Sequence, residues 1–163
     1  MASLACYAQR RTPLATAHRG LTQALGLMDK ITSVKAIEST FDFQLPMDYR
    51  AFLMEHPEDL TDPIEIDALV SWPRGPTATV DCLYSSASIL KNDGAGASCD
   101  LEQSMLIVGH SLFGGYLYLC WGAERFGQIF FREPFLDPAY CLVAKSFGDL
   151  LSRSRPVVYD DEA

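Results

Sequence analysis

The sequence predicts an α+β domain: a mainly antiparallel sheet of five or six strands, with helices at its N- and C-terminal ends packed on it. Short apolar runs recur from Ile64 to Phe131, separated by breaks containing Gly or Pro at mostly hairpin spacing. Between Met105 and Ala123 there is no acidic or basic residue at all. Helical periodicity lies mainly at the two ends. Strands grouped together and flanked by helices read as α+β rather than as repeated βαβ units.

The central stretch, Met105–Arg132, organises the rest. Its apolar runs Met105–Val108, Tyr116–Trp121 and Ile129–Phe131 are rich in β-branched and aromatic residues. Gly114-Gly115 supplies the positive φ that a tight connection needs. Gly122 and Gly127 bracket a second turn with Glu124 and Arg125 at its tip. A membrane helix needs about 20 apolar residues, but four Gly, a His and a Ser interrupt this stretch at turn positions. Gly109-His110-Ser111-Leu112-Phe113 is not a nucleophile elbow, because Phe113 stands where that motif requires Gly. A polar turn between two strands is the expectation there.

Before the sheet, Leu21, Leu25 and Met28 share a helical face, so residues 1–30 read as a basic helical extension. Val34, Ile37 and Phe41 mark a helix over 33–42, with Ser33 as its N-cap. Pro46 opens a second helix, in which Tyr49, Phe52 and Leu53 face inward and which Pro57 halts. Residues 64–70 and 77–84 alternate as strands, and 85–91 is a short helix. Tyr140–Ala144 is an edge strand, and Ser146 caps a last helix that carries Asp149 near its N-terminus. These assignments give one domain over 31–155, preceded by the extension and followed by an acidic tail over 156–163.

At 163 residues the chain has the length of one domain and can bury a core without staples. Its five cysteines (Cys6, Cys82, Cys99, Cys120, Cys141) are odd in number and form no C-x-x-C. All five are expected to be free thiols in a reducing cytoplasm. No signal peptide is evident at the N-terminus.

The net charge of −8 is uneven: residues 42–102 carry twelve acidic and three basic side chains. Phosphate binding needs clustered Lys and Arg, so direct nucleic-acid binding is not expected. A basic protein partner suits this balance. The acids concentrate in Glu58, Asp59, Asp62, Glu65 and Asp67, and alternation puts Glu65 and Asp67 on one solvent face. Such a cluster repels itself, which points to a partner that offsets it; a solvated acidic face without a partner is the alternative. These five are the candidate partner-binding residues, with the loop 92–102 next in line. No catalytic constellation, metal ligand set or cofactor motif is found: His18, His56 and His110 lie far apart, and Gly94 and Gly96 make no phosphate cradle.

Four pieces, in order, resemble the SUKH superfamily, the Smi/Knr-like immunity proteins. They are A-I-E-S-T-F-D-F-Q-L-P-M-D-Y-R-A-F-L (36–53), L-I-V-G-H-S-L-F-G-G-Y-L-Y-L-C-W (106–121), R-F-G-Q-I-F-F (125–131) and S-F-G-D-L-L (146–151). After the first piece this chain has M-E-H-P-E-D-L where many members carry Asn-Gly-Gly. The resemblance implies a non-enzymatic binding protein. It would neutralise a cognate bacterial toxin, often a nuclease, by occluding it. A scaffold or regulatory protein acting on a host protein is the alternative within the same superfamily.

Overall fold

The computed structural model describes residues 29–69, 77–93, 99–100, 104–133 and 140–157. The extension over 1–28 and the end of the acidic tail, 158–163, lie outside the described residues. Helix α1 is described over 29–41, α2 is Met47–Glu55, α3 is Ser86–Asp93 and α4 is Phe147–Arg153. The strands are β1 Ile64–Asp67, β2 Thr77–Val80, β3 Cys82–Leu83, β4 Cys99–Asp100 and β5 Met105–His110. They continue as β6 Tyr116–Cys120, β7 Ile129–Arg132, β8 Tyr140–Ala144 and β9 Arg155–Pro156.

Every ladder among the described residues is antiparallel, and the α+β class is as the sequence predicts. The main sheet has six strands, ordered β3-β5-β6-β7-β8 with β4 also pairing β5. The segments 64–67 and 77–80 do not join it. They form a separate three-stranded sheet ordered β2-β1-β9, whose third strand comes from the far end of the chain. Alternation marks a strand as half-buried but carries no information about which sheet receives it.

One face of the main sheet presents Leu106, Val108, Leu117, Leu119, Ile129 and Phe131 to the helices. Val34 and Ile37 of α1, Tyr49, Phe52 and Leu53 of α2, and Phe147 and Leu150 of α4 all join this core. The Phe147 ring sits 4.6 Å from Tyr49 and 4.7 Å from Phe52, so α2 and α4 meet through aromatic contacts. Asp48 strengthens the junction by accepting the Gly148 N–H at 2.8 Å. On the other face a smaller cluster gathers Met105, Tyr118, Cys120 and Phe130.

The caps follow from local chemistry. Ser146 Oγ accepts the Asp149 N–H, and Asp149 in turn accepts the Lys145 N–H, which satisfies two donors at the start of α4. Ser33, expected as an N-cap, is instead inside α1, where its hydroxyl donates to the Asp29 carbonyl. That helix already includes residues 29 and 30, so Ser33 bonds one turn back. Pro46 stands at the N-cap of α2 rather than within it. Of the five cysteines expected to be free, Cys82, Cys120 and Cys141 are buried free thiols; Cys6 and the side chain of Cys99 lie outside the described residues.

Between Ile107 and Gly109 the β5–β6 register shifts by a bulge. A Cβ at Gly109 would stand 2.5 Å from the Cys82 carbonyl oxygen, which is backbone and cannot swing aside. We therefore expect Gly109→Ala to cost about 1–3 kcal/mol, read as a lower urea midpoint with an unchanged slope. An unchanged midpoint contradicts this packing.

Candidate functional site

The five acidic candidates divide by what holds them. Helix α2 ends at Glu55, with His56 as its C-cap, and the chain then runs through 58–63 into β1. Leu60 forms a bridge to Leu83, exchanging backbone hydrogen bonds of 2.9 and 2.8 Å, so this loop lies along the outer side of β3. Asp59 turns inward and accepts the Ser85 N–H at 2.7 Å and the Ser88 hydroxyl at 2.8 Å. It anchors the start of α3. Burial alone would push its carboxyl up, but the hydrogen bonds from Ser85 and Ser88, with His110 nearby, hold it below the ordinary carboxylate value.

Glu65 and Asp67 do share one face of β1, with Ile66 fully buried between them. They are not left to repel one another, because Glu65 is paired in register with Arg155 of β9. The Arg155 guanidinium meets Glu65 at 3.1 Å and both Asp67 oxygens at 3.0 Å. This hydrogen bonding holds the Asp67 carboxyl below its usual range. The folded chain therefore supplies its own cation to these two acids. Glu58 and Asp62 are exposed. Thus the structure brings Glu65 and Asp67 together, ties Asp59 to α3, and leaves Glu58 and Asp62 facing solvent on the same loop.

The β5–β6 connection, expected as a polar turn, presents two large apolar side chains. Leu112 is 79% exposed and Phe113 80%, and among the described large hydrophobics only Met47 exceeds them. The turn beneath them is closed by Ser111 N–H to Gly115 O at 2.8 Å and Gly114 N–H to Ser111 O at 3.0 Å. Asp81, itself buried, accepts the Leu112 N–H at 2.8 Å, and Ser111 Oγ accepts the Phe113 N–H at 3.3 Å. Gly114 adopts φ 92°, the conformation expected of it. Gly115 serves differently: a Cβ there would run into the Phe131 ring. Beside the turn, residues of β2, Phe113 and Phe131 line a groove of about 180 Å³. The sequence signal was Leu-Phe in a turn position, outside the alternation of either strand.

His110 faces Cys82 across the β3–β5 ladder, a pairing that would invite a nucleophilic reading. Burial, with Asp59 and Asp81 adding, pushes the Cys82 thiol up to about 11. It is protonated at neutral pH, whereas nucleophilic chemistry needs the thiolate. Tyr84, whose ring lies 5.4 Å from the His110 ring, has its hydroxyl likewise pushed up to about 12, chiefly by burial.

A family model described as the SMI1 / KNR4 family (SUKH-1) matches residues 31–153. No curated protein and no solved structure matches the chain.

Asp59 supplies a pH-dependent test of this geometry. A carboxyl whose pKa is lower in the folded chain contributes stability above its unfolded pKa, and that stability disappears as pH falls through the folded value. Asp59→Ala should therefore destabilise at pH 7 by about 1–2 kcal/mol, for two hydrogen bonds to a partly solvated charge. The gap to the unsubstituted chain should close on acidification through the carboxylate range. A gap that stays constant with pH rules out the ionised cap.

Proposed function

We propose that the chain, which belongs to the SMI1 / KNR4 family (SUKH-1), is a non-enzymatic immunity protein. In this reading it binds a cognate bacterial toxin, a nuclease effector, and neutralises it by occlusion. The family match over residues 31–153 carries the proposal. Charge supports the choice of partner. The chain has net charge −8, and a nuclease that handles a polyanion presents Lys and Arg. Complementary potentials speed the encounter and select the partner more than they set affinity.

Of the five candidate acids, Glu58 and Asp62 are the ones left to meet such a partner, because Arg155 engages Glu65 and Asp67 and Asp59 is tied to α3. Reversing Glu65 and Asp67 would set like charges against Arg155 and disturb the β1–β9 pairing. A binding test by charge reversal therefore belongs at Glu58 and Asp62.

The decisive experiment co-expresses the chain with the toxic domain encoded by the reading frame next to its gene. The expected outcome is restored growth and a stable complex of the two purified proteins, with an affinity that falls as salt rises. Continued growth arrest, together with no heat of binding by calorimetric titration, overturns the proposal.

A further inference from the structure

We infer that Leu112 and Phe113 form the apolar anchor of the partner interface, with Glu58 and Asp62 as its charged rim. The occupant is a protein with a basic surface around an apolar pocket. The inference rests on the toxin-binding reading and names the surface that does the binding.

Exposure alone is not the argument, since single exposed apolar residues are ordinary. Here two adjacent large side chains stand in solvent on a turn whose backbone is held from below. Five consecutive residues, Ser111 to Gly115, are fixed by turn hydrogen bonds, by the buried Asp81 carboxylate and by the Ser111 hydroxyl. A turn needs none of this apolar surface for its own stability, because the side chains bury almost nothing within the chain. Holding the backbone that carries this Leu and Phe lowers the ordering cost of docking them. Interface energy concentrates in such anchors when they enter a desolvated pocket.

The rim follows from connectivity. Strand β3 pairs with β5 on one side and meets Leu60 on the other. Asp81, the residue before β3, donates its N–H to His110 and accepts from Leu112. The loop bearing Glu58 and Asp62 and the tip bearing Leu112 and Phe113 are thus tied to opposite sides of one short strand. An apolar knob and exposed carboxylates held by one short strand, on a chain of net charge −8, are complementary to a pocket ringed by Lys and Arg. Met47 is more exposed still, but it opens α2 at a different part of the fold.

The test titrates the adjacent-frame toxin domain with the unsubstituted chain and with Phe113→Asp, Leu112→Asp, the pair Glu58→Lys/Asp62→Lys, and Met47→Asp. Far-ultraviolet dichroism and urea midpoints of the exposed-site variants should match the parent. Phe113→Asp and Leu112→Asp should each weaken binding roughly 30-fold or more, the scale of an interface hot spot. Reversal of Glu58 and Asp62 should slow association and flatten the salt dependence, and Met47→Asp should bind as the parent does. Parent-like affinity in Phe113→Asp and Leu112→Asp overturns the anchor while leaving toxin binding standing. An equal loss in Met47→Asp also overturns it. Absence of binding by the unsubstituted chain overturns the toxin reading and this surface with it.

Discussion

Asp81 is the joint on which the arrangement depends. It lies between the last residue of β2 and the first of β3, where the chain passes from the three-stranded sheet to the six-stranded one. It is only 8% exposed, and a buried carboxylate is costly unless it is hydrogen-bonded. Its backbone N–H goes to His110, and its carboxylate receives the Leu112 N–H. A charge-assisted bond to a backbone donor is among the stronger kinds available to a protein. The same residue therefore fixes where the sheets meet and how the β5–β6 tip is aimed. The tip's exposed side chains are the far end of a chain of constraints that begins in the core.

The sheets are joined a second time by Arg153, at the end of α4. Its guanidinium donates to the Val143 carbonyl of β8 at 2.7 Å and to the Asp67 carbonyl of β1 at 2.6 Å. Leu69 N–H adds a bond to Leu142 O at 3.0 Å. Two residues on, Arg155 draws β9 onto β1 through Glu65 and Asp67. Exposed ion pairs contribute little stability on average. Here the bidentate geometry chiefly sets register and removes a like-charge clash. The Tyr49, Phe52 and Phe147 contacts, with the Asp48–Gly148 bond, supply the apolar side of the same closure.

Features that depend on neighbours in sequence could be read from it. Gly114 at a hairpin turn, Ser146 with Asp149 at a helix start, and the inward spacing of Tyr49, Phe52 and Leu53 each follow from local geometry, and the structure contains all of them. What pairs across the chain was not readable. Arg155 is 90 residues from Glu65, and Gly148 is 100 residues from Asp48. Glu65 and Asp67 therefore look unbalanced in the sequence, because their cation is distant. Strand alternation at 64–67 and 77–80 could not show that these strands build a second sheet. Leu112 and Phe113 are not legible in this way: a short Gly-rich connection reads as polar, whereas this one displays two apolar side chains on a backbone that the buried Asp81 carboxylate holds.

Seating of a partner on the β5–β6 tip is tested most directly by photo-crosslinking from position 113. Phe113 is replaced by a photoreactive aromatic amino acid, and a second chain carries the same group at Glu65. Each is irradiated with the toxin domain, and the products are read by mass spectrometry. The expected result is a crosslink from position 113 into an apolar pocket bordered by Lys and Arg, and none from position 65. Crosslinking from position 65 with none from 113 would contradict it.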